Sequence, residues 1–118
     1  ITNDGGEYLG TISLKNLDLS AKKAEYAIVL RKKAQGCGLA ALATEKILNK
    51  AFYEIELERV YLNVLEENKR AIKLYEKSGF IYEGEFRNHL FLNGEYKTLK
   101  WYAVLKEEYG IHLDGLGR

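Results

Sequence analysis

The chain has 118 residues, with 18 Lys and Arg against 17 Asp and Glu and a formal net charge of +1. That length suits one domain with a core of its own, and the balanced charge, without a long basic run, leaves no electrostatic footprint for nucleic acid. No run of about 18 apolar residues is present to span a membrane, one cysteine excludes an internal disulfide framework, and no signal pattern opens the chain, so cytoplasm is the expected compartment.

In chain order, Ile1-Thr2 runs straight into the turn cluster Asn3-Asp4-Gly5-Gly6, and the sequence contains no methionine. A fragment of a longer chain is therefore expected, beginning in the second half of a hairpin. Glu7 to Leu14 alternates as a strand, with Leu9, Thr11 and Ser13 against Tyr8, Ile12 and Leu14. Lys15 to Lys23 is polar and reads as a loop. Ala24 to Leu30 is the next strand, with Tyr26, Ile28 and Leu30 on one face.

From Gly38 to about Phe52, apolar residues fall at Leu39, Leu42, Ala43, Ile47, Ala51 and Phe52, which is helical spacing. Arg59 to Leu65 is a strand, with Val60, Leu62 and Val64 alternating. Asn68 has the chemistry of an N-cap, and the helix it starts runs to Ser78 and stops at Gly79 in the C′ position. Its apolar face is Ala71, Ile72, Leu74 and Tyr75. Two further strands, Ile81 to Leu92 and Tyr96 to Leu105, flank Asn93-Gly94, a strong hairpin signal. The tail from Glu107, with Gly110, Gly115 and Gly117, is expected to be loose. The order β-β-α-β-α-β-β predicts an α/β domain with a mixed sheet.

Three segments carry candidate chemistry. Between the strand ending at Leu30 and the helix opening at Gly38 lies Arg31-Lys32-Lys33-Ala34-Gln35-Gly36-Cys37. A strand that empties through a glycine turn into a helix start presents backbone N–H groups and the positive end of the helix dipole, an anion site. The turn lacks the Gly-Lys-Ser/Thr ending of a triphosphate loop and the third glycine of a dinucleotide fingerprint. A helix start that merely needs a tight turn is the competing reading. Cys37 has no histidine near it in sequence and is read as a small residue in a tight backbone.

The second segment is the capped helix at Asn68. Tyr75 on it is either an ordinary core aromatic or, near a thiolate leaving group, a proton donor, because a phenol with a pKa of about 10 stays protonated at neutral pH. The third is Glu83-Gly84-Glu85-Phe86-Arg87-Asn88-His89-Leu90-Phe91. His89 is read as a half-buried strand residue, with a base or substrate ligand as the alternative. His89, His112 and Cys37 match no metal-ligand spacing, so no metal is expected.

Together these segments resemble the GCN5-related N-acetyltransferase (GNAT) family. Its coenzyme signature, Gln/Arg-x-x-Gly-x-Gly/Ala at a strand-to-helix turn, stands here as Gln35-Gly36-Cys37-Gly38-Leu39-Ala40. Its second signature stands as Asn68, Ala71, Leu74, Tyr75, Gly79 and Phe80. The resemblance runs from Glu7 to about Leu105. It implies acetyl-coenzyme A as donor and a primary amine as acceptor. Ile28, Val29 and Leu30 would pair with the pantetheine arm. Backbone N–H groups from Gln35 through Cys37, Leu39, Ala40 and Ala41 would hold the pyrophosphate. Asn68, Ala71 and the helix through Lys77 would border the coenzyme. Tyr75 would protonate the departing thiolate, and Glu25 is the candidate for assisting removal of the amine proton.

Within the family, Glu83-Gly84-Glu85 and Asn93-Gly94-Glu95-Tyr96-Lys97 resemble the branch of spermidine, ribosomal-protein N-terminal and nucleotide-amino-sugar acetyltransferases. A polyamine, an amino sugar nucleotide and a protein N-terminus all stay open as acceptor, because Glu83, Glu85 and Glu95 lie among Arg87, Lys97 and Lys100. Members of the family carry a first strand and helices that wall the acceptor site, and these are expected to be missing. The chain is thus read as one acetyltransferase domain over residues 1–118, with a non-catalytic coenzyme-binding module as the alternative. An open sheet edge where the first strand is missing leaves a homodimer open as a further alternative. Neither nucleic acid nor membrane is an expected partner.

Overall fold

The computed structural model describes residues 10–30 and 38–115. Its elements are β1 (Gly10–Asp18), β2 (Lys23–Leu30), α1 (Leu39–Asn49) followed by a π-helical turn (Lys50–Glu54), β3 (Arg59–Leu65), α2 (Lys69–Lys77), β4 (Ile81–Leu92), β5 (Glu95–Leu105) and α3 (Lys106–Gly115). This is a mixed α/β fold whose strand ladders are mostly antiparallel. The chain divides into two compact units, Ile1–Val60 and Tyr61–Arg118.

In the first unit, β1 and β2 form an antiparallel hairpin that pairs Ile12 with Ile28, Leu14 with Tyr26 and Lys15 with Glu25. β1 continues to Asp18 instead of ending at Leu14, and the loop expected from Lys15 shrinks to a four-residue turn. Opposite charges keep the polar end extended, because Lys15 faces Glu25 and Asp18 faces Lys23 across the ladder. Asp18 then closes the turn by accepting the N–H groups of Ser20 and Ala21, each at 3.0 Å. Asn16, at φ +52, takes up the register irregularity between Lys15 and Asp18. The turn expected at Asn3–Gly6 and the start of the first strand lie outside the described residues.

Of the expected apolar positions, Ala51 and Phe52 are buried and Leu39, Ala43 and Ile47 are half-buried, but Leu42 is 52% exposed. Thr44 and Leu48, outside the expected face, are buried. Ala24 and Tyr26 of β2 are buried in the same unit, with Leu57.

In the second unit the strand order is β3-β5-β4. Val60, Leu62 and Val64 alternate inward along β3. Asn68 caps α2 and Ile72 and Tyr75 are its buried residues, close to the expected face. The hairpin turn Asn93-Gly94 has positive φ at both positions, +52 and +79, the backbone that favours this dipeptide. β5 starts at Glu95, one residue before the expected Tyr96. Two register shifts interrupt the β4–β5 ladder, one between Tyr82 and Gly84 and one between Phe86 and Leu90.

The segment after Leu105 is a helix, contrary to the loose tail expected of it. Glu108 Oε1 accepts the Leu105 N–H at 3.0 Å, and Tyr109 is buried to 1% exposure. Glu107 and Glu108 place negative charge in the first turn, where the helix dipole favours it. The glycine at position 110 lowers helix propensity without stopping the helix.

Candidate active site

Consider first the passage from β2 into α1. Gly38 takes φ +83 and ψ −8 at the helix entry, a left-handed conformation that glycine adopts without a Cβ penalty. Among the described residues a Cβ there would meet nothing within 4 Å, and the positive φ is the constraint on this glycine. No side chain among them caps α1, and no acid sits in its first turn. The N–H groups of Leu39, Ala40 and Ala41 precede the first bond of the helix, from the Leu42 N–H to the Gly38 carbonyl at 3.3 Å, so they have no carbonyl partner within it by geometry, and the dipole adds partial positive charge. Of the residues expected to hold a pyrophosphate, Gln35, Gly36 and Cys37 lie outside the described residues. Gly38, Leu39, Ala40 and Ala41 form the described part of that turn.

Two buried hydroxyls join β2 to this helix. Tyr26 Oη lies 2.6 Å from Thr44 Oγ1, and Thr44 Oγ1 donates to the Ala40 carbonyl at 2.6 Å. A carbonyl only accepts, and a threonine hydroxyl has one proton. Thr44 therefore donates to Ala40, and Tyr26 must donate to Thr44. The sequence places Tyr26 on one face of its strand but gives no signal for Thr44, because a threonine inside a helix reads as a solvent-side position until its partner is known.

On β2, Ile28 is half-buried opposite Ile12, Val29 is 69% exposed opposite Thr11, and Leu30 pairs with Gly10. Glu25 sits between the inward Ala24 and Tyr26 and so points to the other face of the strand. Its carboxylate accepts from Asn16 Nδ2 at 2.9 Å and lies 3.7 Å from Lys15 Nζ.

In the second unit, the Asn68 side chain accepts the Ala71 N–H at 3.2 Å, and the Asn68 carbonyl accepts the Ile72 N–H at 3.1 Å. These bonds define the start of α2. Tyr75 is 7% exposed and meets Phe80 edge-on, with ring centroids 5.9 Å apart. The Phe80 N–H returns to the Tyr75 carbonyl at 3.0 Å, so the turn at Gly79 folds Phe80 against the tyrosine. Burial pushes the Tyr75 phenol above its ordinary value of 10.0, which keeps it a proton carrier at neutral pH. Lys77 is exposed at the helix end.

Lys97 is a second feature that spacing did not signal. Its ammonium lies 3.0 Å from Glu67 and 2.9 Å from Glu95, and the neighbouring Thr98 carbonyl accepts the Glu66 N–H at 3.0 Å. The strand thus holds the Glu66–Glu67 turn that delivers the chain to Asn68. His89 is exposed, not half-buried, and touches Phe86 edge-on at 5.1 Å. It lies where β4 carries extra residues against β5, which removes it from regular pairing. Among the described residues, no group of three or more His, Cys, Asp or Glu is placed to hold a metal ion. No helix among them is long and apolar enough to cross a membrane.

The left-handed glycine opening α1 and the asparagine-capped helix carrying a buried tyrosine stand at the positions of the two family signatures. The acetyltransferase (GNAT) domain family matches residues 1–81, and the chain belongs to that family. It is 36% identical over 104 residues to the putative ribosomal N-acetyltransferase YdaF of Bacillus subtilis, covering 88% of this chain and 57% of that protein. It is 32% identical over 101 residues to spermidine N(1)-acetyltransferase of Vibrio cholerae, covering 86% of this chain and 58% of that one. Among solved structures, spermidine N-acetyltransferase from Vibrio cholerae in complex with CoA and spermine superposes with a TM-score of 0.87 at 30% identity. That match covers 92% of this chain and 64% of the other. The chain therefore spans less than two-thirds of the length of these relatives.

Proposed function

We propose that this chain is an acetyltransferase domain that moves an acetyl group from acetyl-coenzyme A to a primary amine. The observation that carries the reading is the left-handed Gly38 entry into α1, because the first-turn N–H groups have no carbonyl partner within the helix and stand at the position of the family's coenzyme signature. The N–H groups of Gln35 through Ala41 bind the pyrophosphate in this reading. Ile28, Val29 and Leu30 accompany the pantetheine arm, and Asn68, Ala71 and Lys77 belong to the second coenzyme-binding segment.

The chemistry is direct attack. The amine lone pair forms the new C–N bond at the acetyl carbon while the C–S bond breaks and its electrons stay on sulfur. Tyr75 gives its proton to that sulfur, and solvent later restores it. The nitrogen loses its extra proton to water, with Glu25 as the assisting carboxylate. Because Glu25 is already engaged by Asn16 and Lys15, its role is to orient a water instead of acting alone.

The acceptor proposed first is a polyamine. A related protein from Vibrio cholerae is described in complex with CoA and spermine, and the β4–β5 hairpin of this chain carries Glu83, Glu85 and Glu95. Self-association, by analogy with the dodecameric structure described for that relative, and a cytoplasmic location belong to the same proposal.

The test is thiol release from acetyl-coenzyme A with spermidine, a 4-amino sugar nucleotide and an N-terminal peptide as separate acceptors, alongside coenzyme A binding by calorimetry. Turnover with spermidine at the highest kcat/KM is the expected result. Binding without turnover on any amine would reduce the chain to a coenzyme-binding module. Absence of binding would overturn both readings.

A further inference from the structure

Among the described residues, nothing lies where a Cβ on Gly38 would stand, no side chain caps α1, and Ala41 and Leu42 are exposed. The N–H groups of the first turn can hold an anion only if they keep a fixed position and direction, since small misplacements of a binding group cost large factors in affinity or rate. A polar tie from this helix to β2 comes one turn later, at Thr44.

Thr44 is fully buried, at 0% exposure. A valine would fill nearly the same volume without a polar group to satisfy. Its hydroxyl reaches back four residues to donate to the Ala40 carbonyl, and Tyr26 on β2 donates to Thr44 Oγ1. The two bonds are short, and both hydroxyls are shut away from water that would compete for them. Through them β2 holds the first turn of α1. Threonine hydroxyls bonded four residues back also tend to bend a helix locally, so the tie acts on the direction of the first turn as well as its place.

We infer that Tyr26 and Thr44 are positioning residues for a diphosphate at the start of α1, acting through the Ala40 carbonyl and not by touching the ligand. The inference rests on the coenzyme reading above and adds to it the device that sets the geometry of the turn.

The experiment compares coenzyme A with pantetheine, which has the same thiol arm but lacks the diphosphate and nucleotide, in calorimetric binding to the full chain. Wild-type protein is expected to favour coenzyme A. Tyr26→Phe and Thr44→Val are each expected to weaken coenzyme A by about tenfold, the equivalent of one lost hydrogen bond, and to leave pantetheine unchanged. Thr44→Ser keeps the hydroxyl and is expected to bind both as wild type does.

Thr44→Val removes the acceptor of the buried Tyr26 hydroxyl and is less stable, whereas in Tyr26→Phe the Thr44 hydroxyl still donates to Ala40 and the loss is smaller. The double variant Tyr26→Phe/Thr44→Val removes both polar groups and is expected to regain most of the melting temperature while keeping the weakened coenzyme A binding. That split is one a merely structural role would not give. Parallel losses for the two ligands, or binding that recovers with stability in the double variant, would overturn the positioning role. Equal wild-type affinity for coenzyme A and pantetheine would instead sink the coenzyme reading itself.

Discussion

Gly79 and His112 occupy complementary space: a Cβ built on Gly79 would lie 3.2 Å from both Cδ2 and Cγ of the His112 ring. The glycine ends α2 at φ +102, and the imidazole of α3 lies where any side chain would stand. Gly79→Ala is therefore expected to be destabilising for two separable reasons. The positive φ costs an L-residue about 1–2 kcal/mol, and the imidazole must also shift. In urea unfolding, adding His112→Ala to Gly79→Ala is expected to recover the steric part alone, leaving the backbone part. Full recovery, or none, would show that only one of the two operates.

The same contact explains why part of the chain was legible in its sequence and part was not. Asn68 and Gly79 bracket a helix through local chemistry, a side-chain cap at one end and a positive φ at the other, and the bracket is visible in the residues themselves. Asn93-Gly94 announces its turn in the same way. What makes α3 a helix is the burial of Tyr109 and the seat of His112 on Gly79, contacts distant in sequence that the glycine at position 110 masks. The extension of β1 past Leu14 is hidden similarly, since Lys15, Asn16 and Asp18 look like a loop until Glu25 and Lys23 stand opposite. In α1 the periodicity found a helix but chose Leu42 over Thr44 for the interior. Hydrophobicity cannot anticipate a threonine whose hydroxyl is satisfied by a tyrosine 18 residues away. Of the candidate site, Asn68 and Tyr75 stood out as motif positions, whereas Tyr26 and Thr44 belong to no motif.

The cap on α2 gives a direct stability test. The Asn68 side chain accepts the Ala71 N–H, so Asn68→Ala is expected to cost about 1 kcal/mol, within the usual range for a lost N-cap. Asn68→Asp keeps the acceptor and adds a charge that the dipole favours. It is expected to match or exceed wild type in the urea midpoint, and an Asp variant as weak as the Ala variant would refute the capping role.

Tyr75 links burial to pH. Its phenol lies above the ordinary 10.0 because it is desolvated, so the folded state retains a proton that the unfolded chain releases near pH 10. Its contribution to stability is therefore fully present below pH 10 and is lost as pH rises toward the raised folded value. Urea midpoints between pH 8 and 11 are expected to fall less steeply for Tyr75→Phe than for wild type. Tyr102 is also raised by burial and maintains part of the slope. In acetyl transfer, Tyr75→Phe is expected to lower kcat by about a hundredfold, the lower end for a lost general acid. Unchanged turnover across the pH range would remove Tyr75 from the reaction.

Lys97 offers the complementary experiment at acid pH. The hydrogen bond from its ammonium is the main cause holding the Glu95 carboxyl below 4.5, with the Coulomb attraction second. A lowered folded pKa gives stability that is present above pH 4.5 and disappears as pH falls through the folded value. The Lys97 side chain is only 16% exposed, whereas Glu67 and Glu95 are 58% and 71% exposed. Its stem is therefore packed while its partners stand in solvent, where screening weakens the pairing. Lys97→Met keeps the packed stem and deletes the charge. It is expected to reduce the melting temperature modestly at pH 7 and to remove part of the acid sensitivity seen below pH 4.5. Because Lys97 also holds Glu67 in the turn leading to Asn68, amide exchange at Lys69 to Ala71 is expected to accelerate in the variant. If exchange there is unchanged while the melting temperature falls, the lysine stabilises its hairpin through Glu95 and leaves the start of α2 to its asparagine cap.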